Sequence, residues 1–551
     1  MDTSINRRGF LAGGAIALGA LGVGALAGCS TSSGGSSGGS GGGTSAETSA
    51  APAAAAGGGG TAESLECDVV VAGLGASGLL AAYGAATGGK KVIAIDAATS
   101  MDGVTNVRTS APFCVGSKLQ AESPEPLTIK EFIDYLNVGT NYQSNQRALR
   151  AVTEATGRAV NVFIDAGMPF NVNFAETDSS TPMMQRGGHL YGVSGSERAE
   201  YFTKIMNEAG VDCRFSTTAD SLIIDNGKVA GLNCTSDGAP VEIKAKAVIL
   251  ATGGFLGNAE EVAKYFAGAE IVCMGNELCK GAGVEMAQNA GAQMGKCFSI
   301  SMNEYGGANS KASPTYSFRP NMGTNEAMRL PVFGGLLVNQ MGDRFVNEGV
   351  MCEKTMFCCE PLVRDYYHYA ICDADFYKRW SEEPISTFMG DARMQGMFGD
   401  LKVSDMEGAG SLDDQFDKAV EEGWAFKADS LAEIADHFAL PDLEETVKAY
   451  NALCEAGDDE QFFKDAKYLW AIKSAPFYCV QSMPAGWLSL GGIKSDEYMH
   501  ALDSKNNVIP GLFVVGADAD LFTSPYYAPG SANGFAIGSG LIAGESAAKE
   551  V

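Results

Sequence analysis

The sequence predicts an α/β fold, and three observations carry that prediction. First, the β-branched run Cys67-Asp68-Val69-Val70-Val71-Ala72 leads into Gly73-Leu74-Gly75-Ala76-Ser77-Gly78 and then into a small-residue helical stretch from Leu79 to Ala86. Second, the apolar run Lys91-Val92-Ile93-Ala94-Ile95 follows and closes on Asp96, 18 residues beyond the last glycine of the loop. Third, two more apolar strands lie far along the chain. One is Lys246-Ala247-Val248-Ile249-Leu250 before Ala251-Thr252-Gly253-Gly254-Phe255; the other runs from Ile509 to Asp518 ahead of a glycine-rich helix start at Gly530 to Gly534. Strands alternating with helices in this way predict a parallel sheet covered by helices.

The first unit is read most directly. A GxGxxG loop set between a strand and a helix, with an acid after the next strand, predicts a Rossmann-like dinucleotide site. Gly73 permits the tight turn, Gly75 lets a pyrophosphate approach the backbone, and Gly78 lets helix and strand pack closely. The N–H groups that follow, from Ala76 and Ser77, open the helix and stabilise phosphate charge. Asp96 is placed to accept hydrogen bonds from a ribose, and its charge disfavours a 2′-phosphate.

The residues ahead of this unit read as an address. Asn6-Arg7-Arg8-Gly9-Phe10-Leu11 opens an uncharged Gly- and Ala-rich stretch to Gly28, the pattern of a twin-arginine export signal. Leu26-Ala27-Gly28-Cys29 looks like a bacterial lipobox, which makes residues 1–29 a lipoprotein signal and Cys29 the lipid anchor. The alternative is an uncleaved anchoring helix over 9–28, long enough to cross about 30 Å of hydrocarbon. Either reading puts the protein outside the cytoplasm, on the outer face of the cytoplasmic membrane. Residues 30 to 60 contain only Ser, Thr, Gly, Ala, one Glu and one Pro, so 30–64 reads as a flexible tether.

Composition narrows the class. At 551 residues, 46% of them hydrophobic, the chain is long enough for two domains with a sizeable core. With 66 acidic against 39 basic residues and a net charge of −27, it repels phosphate backbones, which argues against a nucleic-acid partner. Of 14 cysteines, Cys29 set aside, an odd number remains and no CxxC occurs, so an attached c-type haem is excluded by its usual motif. Cys273, Cys279 and Cys297 form one loose group and Cys352, Cys358, Cys359 and Cys372 another. They read either as ligands of an iron-sulfur cluster without a recognised spacing or as buried structural thiols. No metal site is expected.

The three segments that define the sheet resemble the FAD-binding flavoprotein family that includes fumarate reductase and succinate dehydrogenase flavoprotein subunits, urocanate reductases and 3-ketosteroid dehydrogenases. Lys280-Gly281-Ala282-Gly283 with the helix Val284 to Ala292, Gly335 to Asn339, Arg344-Phe345-Val346-Asn347-Glu348, Leu443 to Leu453 with Gly457-Asp458-Asp459, and Pro476-Phe477-Tyr478 extend the match over about 65 to 551. The resemblance implies noncovalent FAD in an α/β, Rossmann-like FAD-binding domain formed from two chain segments, 65–309 and 489–551, with an α+β cap domain inserted over 310–488. Substrate would lie at their interface. It also implies that Ala251, Thr252, Gly253 and Gly254 border the flavin, that Asp518 bonds the ribityl chain, and that N–H groups near Ser531 and Ala532 face the flavin O2 and pyrophosphate.

Departures from the fumarate reductase pattern bear on the substrate. Four residues past Asn347-Glu348, where the family has a proton-donating Arg, stands Cys352, with Glu353 beside it. Where the family has a His before a Gly-Gly pair, the sequence is Trp487-Leu488-Ser489-Leu490-Gly491-Gly492, and Tyr526-Tyr527-Ala528-Pro529-Gly530 replaces the last substrate Arg. A dicarboxylate finds no charge partner there. The Tyr526 to Gly530 spacing is similar to the stretch of 3-ketosteroid dehydrogenases in which a Tyr hydroxyl and a Gly N–H hold a ketone oxygen, which stabilises the enolate formed by hydride transfer. The two tyrosines can equally pack as interface aromatics. Candidate acids for the α-carbon are Cys352, Glu353, Tyr526 and Tyr527. His189 reads as a flavin-loop residue or a solvated one.

No second GxGxxG with a strand–helix setting occurs, so electrons are expected from a separate protein, a membrane-anchored cytochrome or flavoprotein. The expectation is therefore an exported FAD-dependent reductase of an activated C=C bond that serves anaerobic respiration, its substrate an enone, unsaturated lactone or steroid-like molecule. The alternatives are a 3-ketosteroid dehydrogenase working in reverse, a fumarate-, urocanate- or acrylate-type carboxylate reductase using Arg186, Arg319 or Arg329, and a noncatalytic flavoprotein that relays electrons.

Overall fold

Strand β1 (Glu63–Ala72) is exposed at its start and buried without interruption from Val69 to Ala72, as a strand flanked on both sides must be. The computed structural model describes residues 63–104, 109, 111–140, 142–172, 186–265, 271–295, 299–300, 304–307, 325–353, 367–390, 395–396, 398–405, 410–521 and 530–551. β1 pairs in parallel with β2 (Val92–Ile95) on one side and with the strand Ala239–Leu250 on the other. Outside these lie the parallel strands Asp212–Arg214 and Val508–Val514, and the antiparallel strand His500–Leu502 closes one edge. A hairpin, Thr217–Asp225 with Lys228–Ser236, pairs along the first half of Ala239–Leu250. The parallel strands therefore end together, at Ala72, Ile95, Leu250 and Val514, and the loops that follow them share one edge of the sheet.

Two helices made largely of small residues cover the sheet. Helix α1 (Ala76–Thr87) and the C-terminal helix Ser531–Glu550 cross with their backbones nearly touching. A Cβ added at Gly540 would lie 2.0 Å from the Ser77 carbonyl oxygen, and one at Gly544 would lie 2.2 Å from that of Ala81. Glycine is thus required by close approach at both crossings.

The cap is a sheet of antiparallel strands in the order Glu304–Gly307, Phe477–Gly486, His368–Cys372, Leu336–Val338, with Ala425–Ala428 also antiparallel and Val272–Cys273 parallel to Phe477–Gly486. Phe477–Gly486 is buried at every position. Its two faces feed two separate apolar clusters, Leu337, Ala370, Tyr478 and Val480 on one side and Leu336, Tyr369, Ile371 and Cys479 on the other, which is the period of two expected of a strand. The cap sheet takes Val272–Cys273 and Glu304–Gly307 from ahead of residue 310. After Gly486 the chain passes Trp487 and Leu488 into Ser489–Leu490, which pairs with Ser299–Ile300 in the other half of the molecule.

A buried ion cluster ties the cap together. Arg344 holds Glu348 with Nε to Oε1 at 2.9 Å and Nη2 to Oε2 at 2.7 Å, and holds Asp459 with Nη1 to Oδ1 at 2.9 Å and Nη2 to Oδ2 at 2.6 Å. Lys464 Nζ lies 3.3 Å from Glu348 and donates to the Tyr450 hydroxyl at 2.8 Å. Two cations meet two anions, so the cluster is neutral, and the forked guanidinium explains why this position requires Arg rather than Lys. Among the described residues no helix is long and apolar enough to cross a membrane; residues 1–62, with the expected signal, Cys29 and tether, lie outside them.

Candidate functional site

The glycine loop after β1 has the geometry its sequence implies. Gly73 takes φ +102°, a left-handed value, and a Cβ there would lie 2.3 Å from the Ala251 carbonyl oxygen, so loop and neighbouring strand end are in backbone contact. A Cβ at Gly78 would lie 1.8 Å from the Gly73 carbonyl oxygen, which keeps helix and turn close. Gly75 caps α1 without a side chain, and Ala76 and Ser77 are its first residues. This end of α1 carries no side-chain cap, and it suits a pyrophosphate approached by backbone N–H groups.

Asp96 stands at the end of β2, partly buried. Its Oδ2 accepts the Leu74 N–H at 2.6 Å and its Oδ1 the Ala98 N–H at 2.8 Å. Burial pushes the carboxyl up while those two N–H groups pull it down. The acid predicted to meet a ribose therefore also fixes the glycine loop.

The loop after Ala239–Leu250 is held from below by Asp518. Its Oδ2 accepts the Thr252 N–H at 2.5 Å and its Oδ1 the Gly254 N–H at 2.8 Å, and the Thr252 hydroxyl donates to Oδ2 at 2.9 Å. The same hydroxyl accepts the Gly283 N–H at 3.0 Å. Asp518 is fully buried, which raises its carboxyl above the ordinary range against these donors. Its partners here are groups of the protein, so it shapes Thr252 to Gly254 into the wall on which the flavin is expected. Ser489, which sequence reading passed over, supports the same wall, its hydroxyl oxygen accepting the Phe255 N–H at 2.9 Å. The signal was available, since Ser489 stands just ahead of Gly491-Gly492.

The third wall is the start of the C-terminal helix. Gly530 caps it in a left-handed conformation, φ +83°, without a side-chain cap, and Ser531 and Ala532 are its first residues. Phe113 N–H donates to the Gly530 carbonyl at 3.0 Å, which docks the segment 111–117 against it. His189 lies behind this segment, fully buried rather than solvated. Its Nδ1 donates to the Gly187 carbonyl at 2.9 Å and its Nε2 accepts the Ser117 hydroxyl at 2.6 Å, a pattern that fixes the neutral ring; burial pushes it down to about 4.

The structure thus brings Gly73, Gly75, Ala76, Ser77, Gly78, Asp96, Ala251, Thr252, Gly253, Gly254, Asp518, Gly530, Ser531 and Ala532 to one edge of the sheet. Tyr526 and Tyr527 lie outside the described residues. Cys352 is buried in the cap, its thiol donating to the Gly349 carbonyl at 3.2 Å, and burial pushes it up to about 12. Glu353 next to it is partly exposed, pairing with Lys467 at 2.8 Å and standing 3.4 Å from the Tyr468 hydroxyl. Among the arginines suggested for a carboxylate, Arg186 bonds Glu131 at 3.2 Å and Arg329 is buried against Glu326, Nη2 to Oε1 at 2.9 Å; Arg319 lies outside the described residues. Among the described residues no group of three or more His, Cys, Asp or Glu gathers for a metal ion.

Known proteins match this arrangement. A family profile described as FAD binding domain matches residues 68–534. A vinyl phenol reductase of Lactiplantibacillus plantarum is 26% identical over 500 residues, 88% of this chain and 96% of that protein. A urocanate reductase of Eggerthella lenta is 25% identical over 82% of this chain and 70% of its own, and a 3-oxosteroid 1-dehydrogenase of Mycolicibacterium smegmatis is 26% identical over 61% and 59%. Among solved structures, the open conformation of a flavocytochrome c3 fumarate reductase shares the fold, with a TM-score of 0.63 at 22% identity over 88% of this chain and 79% of that one.

Proposed function

The chain belongs to the FAD-binding domain family, a flavin-dependent oxidoreductase acting on CH–CH or C=C bonds, and from that premise we propose that it reduces an activated C=C bond in a neutral substrate, an enone, unsaturated lactone or steroid-like molecule. FAD, when bound, supplies the hydride from N5. This chain's residues do the rest. The glycine loop and the starts of α1 and the C-terminal helix bind the pyrophosphate and orient the ring, and Asp518 keeps Thr252 to Gly254 in place beneath it. A hydroxyl from Tyr526 or Tyr527 with the Gly530 N–H holds the substrate carbonyl oxygen, where negative charge develops as hydride reaches the β-carbon. An acid, Cys352, Glu353 or one of the two tyrosines, protonates the α-carbon.

The observation that carries the neutral-substrate reading is the engagement of Arg186 and Arg329 with carboxylates of the protein itself. Moving Arg329 onto a substrate would strand the buried Glu326. The name of the vinyl phenol reductase also points to an uncharged alkene. Export by the twin-arginine route, anchoring through Cys29 and electrons from a membrane-anchored cytochrome or flavoprotein complete the proposal, and the net −27 charge favours a basic donor. A ketosteroid dehydrogenase would use the same residues in reverse, because both directions share one transition state.

The test is to reduce the purified protein anaerobically and follow flavin reoxidation with enones, unsaturated lactones, steroids, acrylate, urocanate and fumarate. Reoxidation by ketones and lactones, lost in Tyr526→Phe or Tyr527→Phe, is expected. Reoxidation by carboxylates alone would overturn the neutral-substrate reading and return the search to the arginines.

A further inference from the structure

The start of the C-terminal helix, the third wall of the cleft, leans on the segment 111–117. Phe113 touches it twice: its N–H donates to the Gly530 carbonyl at 3.0 Å, and a Cβ added at Gly534 would lie 1.8 Å from its carbonyl oxygen. The neighbours of Phe113 bond elsewhere. The Pro112 carbonyl accepts the His189 N–H and the Cys114 N–H donates to the Gly187 carbonyl, each at 2.9 Å, so residues 112–114 bridge the helix start to Gly187 and His189. Side chains repeat the connection. The His189 Nδ1 donates to the same Gly187 carbonyl at 2.9 Å, and its Nε2 accepts the Ser117 hydroxyl at 2.6 Å, while the Ser117 oxygen accepts the Gln120 N–H at 2.9 Å. The buried imidazole therefore spans the segment, held to Pro112 through its backbone and to Ser117 through its ring. Gly187 leaves room for the Phe113 ring, since a Cβ there would lie 2.2 Å from its Cζ, and that ring stacks on Phe132 at 4.3 Å, which meets Phe535 of the C-terminal helix edge-on at 6.0 Å. An unbroken line of contacts thus joins His189 to Gly530.

We propose that His189 is a positioning residue for the flavin: through Ser117 and Pro112 it sets where Phe113 holds Gly530, and so how firmly the N–H groups of Ser531 and Ala532 meet the cofactor. The inference rests on FAD lying at this edge of the sheet, with those N–H groups at its O2 and pyrophosphate, and not on the identity of the substrate. A flavin that takes up an electron pair gains negative charge, and donors at a helix start stabilise that charge more than they do the oxidised ring. A wall held less firmly therefore loses more affinity for the reduced cofactor than for the oxidised one, and the flavin becomes harder to reduce. The ring atom that matters is Nε2, because the Ser117 hydroxyl has its proton to give and the neutral imidazole offers the acceptor.

Two variants separate the two ring bonds. His189→Asn places an amide N–H near Nδ1 and leaves the Ser117 hydroxyl without its acceptor, whereas His189→Gln places an amide oxygen near Nε2 and keeps that acceptor. Fluorescence titration of FAD into flavin-stripped protein should show binding about 10-fold weaker in His189→Asn and within threefold of the wild type in His189→Gln. Spectroelectrochemistry of the loaded proteins should show a lower flavin potential in His189→Asn alone, by about 30 mV for each tenfold by which the reduced cofactor loses more affinity than the oxidised one. In the flavin-stripped protein, hydrogen exchange at the Phe113 and Cys114 N–H groups should quicken in His189→Asn and not in His189→Gln. Equal losses in the two variants would mean that the ring only fills space, which overturns the proposal. So does a His189→Asn protein whose melting temperature falls while its FAD affinity and potential stay those of the wild type. No readout uses a substrate, so a failure of the C=C-reducing reading leaves this test standing.

Discussion

Replacing Asp518 by Asn tests whether the Thr252 to Gly254 wall depends on one buried carboxylate. In the wild type its two oxygens accept two backbone N–H groups, at 2.5 and 2.8 Å, and the Thr252 hydroxyl. Asn keeps the shape but presents an oxygen on one side only. Its amide NH2 then faces either the Thr252 or the Gly254 N–H, and that buried donor is left without an acceptor. An orphaned buried donor costs about 1–3 kcal/mol, and exchanging a charged acceptor for a neutral one weakens the remaining bond. A loss of about 2 kcal/mol in the cofactor-competent conformation corresponds to FAD binding about 30-fold weaker, since every 1.4 kcal/mol is tenfold. The assay is titration of FAD into flavin-stripped protein by fluorescence, with far-UV circular dichroism as the control for folding. Thr252→Ser, which keeps both N–H bonds and the hydroxyl that bridges Asp518 and the Gly283 N–H, should weaken binding less. Binding by Asp518→Asn within threefold of the wild type would refute the argument that this carboxylate shapes the wall.

Arg344→Met leaves Lys464 as the one cation facing Glu348 and Asp459 in the cluster, and breaking such a buried cluster costs about 3–5 kcal/mol. A calorimetric scan should show the melting transition lowered by several degrees, and an unchanged transition would mean that the cluster adds nothing to stability. Gly544→Leu drives a side chain into the Ala81 carbonyl between α1 and the C-terminal helix, so FAD content and melting temperature should fall together, while Gly396→Ala, in open space, should change neither. His500 is raised because Asp496 and Glu550, at 2.8 and 2.7 Å, outweigh the opposing effect of burial. Its contribution is fully present below the unfolded value of about 6.5 and is lost as pH rises through the higher folded value, so the stability advantage of wild type over His500→Gln, measured by urea unfolding, should be larger in acid than in alkali. A pH-independent difference would show that the imidazolium pairs are silent.

The flavin half of the fold is legible in the sequence because its constraints are local. Gly73, Gly75 and Gly78 sit six residues apart or less, and Asp96 follows one strand later, so pattern and geometry coincide. The cap is less legible. Val272–Cys273 and Glu304–Gly307 are too short to announce themselves as strands, and their places in the cap sheet are set by pairing with Phe477–Gly486, some 200 residues on. Ser489 was missed for a related reason: a hydroxyl that supports a turn is defined by a distant neighbour, Phe255, that no spacing rule connects. Asp518 was identified, but its partners were not, since its bonds to Thr252 and Gly254 span more than 260 residues. The buried Arg344 cluster joins Arg344 to Asp459 across 115 residues, and only the resemblance to a family drew attention to both motifs.

The backbone-to-backbone crossing of α1 with the C-terminal helix has a consequence for the order of assembly. The first strand to emerge from the ribosome lies beside Ala239–Leu250, which in turn lies beside Val508–Val514, among the last to be made. Neither the helix crossing nor the third wall of the cleft exists until Ser531–Glu550 has been synthesised and has folded back. Nucleation from such distant partners is slow, because chain entropy is lost before the contacts form. The cleft walls formed by the starts of α1 and of Ser531–Glu550 are therefore complete only once that helix has docked on α1.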